Sequence, residues 1–257
     1  MYGWRARIGL VVPTNNTVIE PEFYKIAPPG ISIHTTRIMT GSAFDAAGLI
    51  EMETNATRGV QELAAAGVDV IAYACLSTSL AKGLGWSEAL IADIEKRTGL
   101  GATTAATATL EALKWMGIKK VALGTPYPNH IHQLVQPFLE SHGFSIVSSR
   151  NLNIEGFLQV CQEAPEAAYR LGRAVDVPEA EGICILATDF RTMEIIDTLE
   201  RDLGKPVVTT NQALFWKAIQ LRRLGVSIAG HGALLHSCQP ELSRFGRTNF
   251  DSWEKQE

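Results

Sequence analysis

The sequence predicts an α/β fold of two similar lobes. Each lobe is a parallel sheet flanked by helices, and a pseudo-twofold leaves one cleft between them. Three observations predict it: short β-branched runs alternate with helical patterns along the chain, the chain repeats itself once, and no low-complexity or Pro/Gly/Ser-rich linker interrupts it. Taken in order, RIGLVVP (7–13) reads as a strand rich in Ile, Leu and Val, and TNATRGVQELAAAG (54–67) as a helix. VDVIAYAC (68–75) is the next strand, and WSEALIADIEKRTG (86–99) and TATLEALKWMG (107–117) are two helices. KKVALGTP (119–126) opens a second round of strands.

The repeat gives these units their pairing. RIGLVVPTNN resembles KVALGTPYPN, so Pro13 faces Pro126. VIAYACLST resembles GICILATDF, so Cys75 faces Ala187. ATTAATATLEALKWMGI resembles PVVTTNQALFWKAIQLRRLGV, so Leu110 faces Leu214. The three segments recur in the same order at nearly one spacing. The expected lobes are residues 1–117 together with a C-terminal return over 216–257, and residues 118–215. The loops that follow matching strands should converge on the cleft.

Composition bounds the function. The 257 residues are 46% hydrophobic and 19% charged, with 23 Lys+Arg against 27 Asp+Glu, and no basic run or stripe appears. Nucleic acid is therefore not an expected partner, and a small molecule is. The cysteines, at 75, 161, 184 and 238, show no metal spacing, and a chain of this length needs no disulfide staples. The apolar run before Pro13 is too short for a signal peptide or a membrane span, so the expected location is the cytoplasm.

Within the cleft, Cys75 ends a buried strand and enters the polar turn Leu76-Ser77-Thr78-Ser79. A thiol placed there is either a nucleophile, helped by N–H groups and hydroxyls of the turn, or a small packed hydrophobe. The same turn can cradle a carboxylate. Thr14, Asn15, Asn16 and Thr17 after the first strand offer amides and hydroxyls to a carboxylate, or form an Asx turn that opens the next segment. In the matching loop Tyr127 stands between Pro126 and Pro128 as a rigid phenol, a donor or a half-buried packing group. His130 and His132 share a face if they lie on a strand, but no third ligand pattern accompanies them, and no metal is expected. Asp189 reads as an N-cap for RTMEIIDTLERD, with Arg191 on that helix's surface.

The stretches IGLVVPTNNTVIEPE, VDVIAYACLSTSLAKGLGW, VALGTPYPNHI, LGKPVVTTNQALFW and GHGALL together resemble the aspartate/glutamate racemase superfamily, in its maleate cis-trans isomerase and arylmalonate decarboxylase branch. The resemblance implies two α/β lobes, an active site between them, no metal or organic cofactor, a small carboxylic-acid substrate and a homo-oligomer. By it Cys75 takes the nucleophile's place. Asn16 and Tyr127 take the places of carboxylate-binding residues, and Ser77 that of a hydroxyl in the carboxylate pocket, with Thr14, Leu76 and Thr188 beside them. Two positions depart from the pattern. Ala187 stands where the family has its second cysteine, and Phe157 stands where isomerases carry a second carboxylate-binding asparagine. Two histories fit Ala187: a natural single-thiol enzyme, or a Cys-to-Ala substitution. The expected activity is cofactor-independent isomerisation of a small unsaturated carboxylic acid through Cys75. The alternatives are decarboxylation or racemisation through an enediolate, and a silent carboxylate binder.

Overall fold

A computed structural model describes residues 2–40 and 46–236. The first sheet holds β1 (Ala6–Pro13), β2 (Ile31–Ile38), β3 (Val70–Tyr73) and β4 (Gly101–Thr104), in the order β2-β1-β3-β4. The second holds β5 (Lys120–Thr125), β6 (Ser145–Asn151), β7 (Gly182–Ile185) and β8 (Val207–Thr209), in the order β6-β5-β7-β8. Every pairing in both sheets is parallel. The two sheets thus share one topology, as the sequence repeat predicted. Helices cover them because an all-parallel sheet buries both faces, and the strands are accordingly near-continuous apolar runs.

The repeat extends to the hydrogen bonds that join each lobe together. Helix α4 (Trp86–Thr98) ends on Gly99 at φ 70°, and α9 (Ile196–Leu203) ends on Gly204 at φ 65°, both in the left-handed region that glycine enters without strain. In α4, Glu95 accepts the N–H of Ala102 on β4. In α9, Glu200 accepts the N–H of Val207 on β8. Asp69 before β3 accepts the Arg7 N–H, and Glu181 before β7 accepts those of Lys119 and Lys120. Equivalent carboxylates therefore tie equivalent strand starts in the two lobes.

After the last strand of each sheet comes a helix, α5 (Ala105–Trp115) and α10 (Thr210–Leu221). These two helices pack on one another, α10 also lies against β3 and β4, and α5 touches β8. The C-terminal helix of the second lobe so returns onto the first. The larger apolar core runs continuously through both lobes, from Ile8 and Leu10 on β1 to Ile183 and Ile185 on β7. A smaller core lies between the first sheet and α2 (Ala46–Ala65) with α4.

Two local expectations are corrected. Leu76-Ser77-Thr78-Ser79 is no turn but the start of α3 (Leu76–Lys82), with Cys75 at its N-cap position. Asp189 caps no helix: α9 begins seven residues further on, behind Ile195, and Asp189 is buried. Among the described residues no helix is long and apolar enough to cross a membrane.

Candidate active site

The strands' carboxyl ends face a cavity of about 610 Å³. From the first lobe, Pro13, Asn15 and Asn16 reach it from the end of β1, Thr40 from beyond β2, and Cys75 and Ser77 from the end of β3. The second lobe supplies Tyr127 and Pro128 from beyond β5, and Thr188 and Asp189 from beyond β7. This is where open parallel sheets hold ligands, because the strand ends leave backbone groups and loop side chains free to converge.

Cys75 is placed by its backbone. The Ala74 N–H donates to Val11 O at 2.9 Å, which continues the ladder one residue past β3 and projects Cys75 beyond the sheet. Its counterpart, the Leu186 N–H, donates to Gly124 O at 2.9 Å, so Cys75 and Ala187 occupy the same position at equivalent strand ends. The Cys75 Sγ lies 3.0 Å from Thr78 Oγ1 and 3.5 Å from Ser77 Oγ, on the first turn of α3. Ala187 is fully buried and its N–H donates to Thr210 Oγ1, so on that side the cavity is lined by Thr188 and Asp189 instead. Leu76 turns into the core, and Thr14 lies 3.3 Å from Thr40 through their hydroxyls.

Asn16 forms a local turn and also faces the cleft. Its Oδ1 accepts the N–H groups of Val18 and Ile19 at 2.9 and 3.1 Å, which opens α1 (Ile19–Ile26) as an Asx turn does. That bond aims its amide nitrogen across the cleft, where Nδ2 donates to Thr188 Oγ1 at 3.2 Å. The local turn thereby orients a donor between the lobes.

Tyr127 is buried, its carbonyl accepting from Asn151 Nδ2 and its ring meeting Phe157 edge to face at 6.1 Å. Its hydroxyl donates to Asp189 Oδ1 at 2.9 Å. Burial, with the adjacent Asp189 charge, pushes the Tyr127 phenol well above its usual range. Burial also pushes the Asp189 carboxyl up to about 6, against the opposing pull of the Tyr127 hydrogen bond. Phe157 opens α7 (Phe157–Gln162), and with Ile154 and Leu158 it makes one wall apolar. The Ile154 N–H donates to Pro126 O at 3.0 Å, which ties this wall to the Tyr127 loop.

His130 lines the cavity from α6 (Asn129–Ser141), whereas His132 on the same helix is held between Thr125 and Ser149. They are helical neighbours and not strand neighbours. Among the described residues no group of three or more His, Cys, Asp or Glu is placed to hold a metal ion. Cys184 lies fully buried on β7, where burial drives its thiol far up. Cys161 on α7 lies nearer the site than expected: it is half-buried, and its thiol donates to Asn15 O at 3.4 Å. Cys238 lies outside the described residues. Asp189 is the site residue that the sequence reading missed. The repeat carried the signal, since pairing Cys75 with Ala187 also pairs Ser77 with Asp189.

The chain as a whole is similar to known proteins in sequence and in fold. A maleate isomerase from Nocardia farcinica is 30% identical over 89% of this chain and 95% of its own length. An arylmalonate decarboxylase from Bordetella bronchiseptica is 28% identical over 88% of this chain and 95% of its own. One similar structure is a cysteine-to-serine mutant of the Nocardia farcinica maleate cis-trans isomerase with a covalently bound succinylcysteine intermediate. It has a TM-score of 0.84 and 29% identity, over 91% of this chain and 99% of that one. Another is a double mutant of arylmalonate decarboxylase in a liganded form, which gains one cysteine and loses another, with a TM-score of 0.82 and 26% identity over 90% and 98%. The family model described as arylmalonate decarboxylase spans residues 8–235, from the first strand to the last described helix, and the chain belongs to that family.

Proposed function

We propose that this protein is an isomerase of a small unsaturated carboxylic acid and that it works through Cys75. The observation that carries the proposal is the placing of Cys75: it is the one cysteine among the described residues that lines the cavity, and uncharged donors surround it there. In the reaction, the Cys75 thiolate adds to the alkene carbon β to the carboxylate. The π electron pair moves onto the carboxylate to give an enediolate, and the former double bond, now single, rotates. The double bond re-forms as the C–S bond breaks, which returns the sulfur unchanged and releases the trans acid. Asn16 Nδ2, Ser77 Oγ, Thr188 Oγ1 and Tyr127 Oη are the groups that would hold the carboxylate and the charge that develops on it.

Phe157, Ile154 and Leu158 favour a substrate bulkier or less charged than maleate, since an apolar wall rewards carbon and gives a second carboxylate no partner. The same wall and the cavity's size support a second reading, in which an aryl-substituted malonate loses carbon dioxide, or a 2-aryl acid racemises, through an enediolate, with Cys75 delivering the proton in the first case and removing it in the second. In either reading the lobes are taken as 1–117 with 216–257 and as 118–215, and the working form as a cytoplasmic homo-oligomer. Proton NMR of cis-alkenoic, arylmalonic and 2-aryl acids incubated with the enzyme in deuterated water tells the reactions apart. Cis-to-trans conversion with a thioether adduct on the Cys75 peptide supports the isomerase, and deuterium at the α-carbon without alkene change supports the second reading. Cys75→Ser should abolish either activity, and a Cys75→Ser enzyme that turned over at the wild-type rate would refute both.

A further inference from the structure

Tyr127 has one proton, and it is already committed. Its hydroxyl donates to Asp189 Oδ1 at 2.9 Å, and its oxygen also accepts the Thr188 N–H. A phenol donates once, so in this arrangement it offers a ligand nothing but lone pairs. Beside it stands the Asp189 carboxylate, itself on the cavity lining and 5% exposed. Among the described lining residues there is no lysine or arginine to offset a second anion. A substrate carboxylate entering this cavity would therefore meet a like charge in a place where water screens poorly.

One proton resolves the conflict. With Asp189 neutral, its carboxyl O–H donates to Tyr127 Oη, and the Tyr127 O–H is free to turn to the ligand. We propose that Asp189 is the proton-holding residue of the site, occupying the second-lobe position opposite Ser77, and that a carboxylate binds beside Cys75 only as Asp189 takes up one proton. The inference rests on the reading that the cavity takes a carboxylate next to that thiol. During turnover the proton shifts from Asp189 to Tyr127, and from Tyr127 toward the oxygen that gains charge as the C–S bond forms. It returns when that bond breaks, and it leaves to water with the product, so the cycle is proton-neutral. The acid is thus supplied on the lobe where Ala187 offers no thiol. Burial already brings the Asp189 carboxyl to about 6, within reach of a proton at neutral pH.

The other groups around Asp189 leave it this role. Burial raises the Cys161 thiol on α7 and so keeps it neutral, Cys75 beyond β3 faces Tyr127 and Asp189 across the site, and His130 and Glu155 line the same cavity. Glu22 on α1 accepts the N–H groups of Thr192 and Met193 and the amide of Asn211, and Arg191 pairs with exposed Glu194.

The test compares two alkylating agents at Cys75, iodoacetate and its neutral isostere iodoacetamide, with the modified residue located by peptide mapping. The ratio of their rates cancels the ionisation of the thiol and reads only how well the site accepts a carboxylate. The ratio should fall by up to about fiftyfold between pH 6 and pH 8, following the neutral fraction of a group titrating near 6. In Asp189→Asn, whose amide donates to Tyr127 at every pH, the ratio should be flat. Carbon-13 carboxyl spectra of aspartate-labelled protein give the second arm, with the Asp189 signal identified by its loss in Asp189→Asn. In protein carboxymethylated at Cys75 this signal should titrate about one unit or more above its value in carbamidomethylated protein. A flat wild-type ratio with Cys75 labelled, or one titration for both adducts, overturns the inference and leaves the reading of Cys75 standing. If neither reagent labels Cys75, the reading and the inference fall together.

Discussion

Replacing Tyr127 by phenylalanine removes one hydroxyl and leaves Asp189 buried without its donor, so the cost should depend on pH. The folded Asp189 carboxyl sits at about 6, above its ordinary value of 3.8. The fold therefore favours the neutral acid: its contribution to stability is fully present below about pH 4 and is lost as pH rises through 6. The Tyr127 hydrogen bond limits that loss because it stabilises the charged form. At pH 7.5, where the group is mostly ionised, the substitution removes a hydrogen bond to a charge, at a cost of about 1.5–3 kcal/mol. At pH 5 it removes a neutral one, at about 0.5–1.5 kcal/mol. The destabilisation read from urea unfolding at the two pH values should accordingly be larger at pH 7.5, by about 1 kcal/mol. Binding of a carboxylate ligand, followed by calorimetry, should weaken roughly ten- to a hundredfold. An equal penalty at both pH values, or a larger one at pH 5, would refute the charged pairing of Tyr127 with Asp189. Unchanged ligand affinity would refute the part given to the Tyr127 hydroxyl.

Two further outcomes follow from the packing. Limiting iodoacetamide should modify Cys75 ahead of Cys161 and spare Cys184 until the protein unfolds, and a bound carboxylate should protect Cys75; peptide mapping that found Cys161 labelled first, without protection, contradicts the placing of the nucleophile. Glu200→Ala should cost about 2–5 kcal/mol, because it orphans the buried N–H groups of Val207 and Ala233, whereas Glu95→Ala, at the equivalent but exposed position, should cost under about 1 kcal/mol; equal melting temperatures for the two variants would contradict this difference.

Much of this molecule is written locally. Strand runs such as RIGLVVP and VIAYA carry the signature of a sheet covered on both faces, and the alternation with helical patterns makes that sheet parallel, because parallel strands need crossover helices. The internal repeat went further, since it predicted one topology used twice and put Cys75 and Ala187 at the same strand end. The loop after the third strand defeated local reading. Leu76-Ser77-Thr78-Ser79 has the residues of a turn, but Leu76 finds a core to enter and Thr78 and Ser79 are buried against neighbours, so the segment winds into α3. Propensity yields there to tertiary burial.

The sequence by itself determined the fold class, the twofold repeat and the family, because each depends on patterns that short stretches carry whole. Only the tertiary structure decided which side chains meet at the cleft. Asp189, 62 residues from Tyr127, reads alone as a helix cap, and it becomes a buried acid because the loops after β5 and β7 converge there and exclude water from both side chains. Asn16 likewise opens its own helix and reaches Thr188 in the other lobe. Contacts of this kind come from loops that converge at the strand ends, and no local propensity encodes the partner that a distant loop supplies.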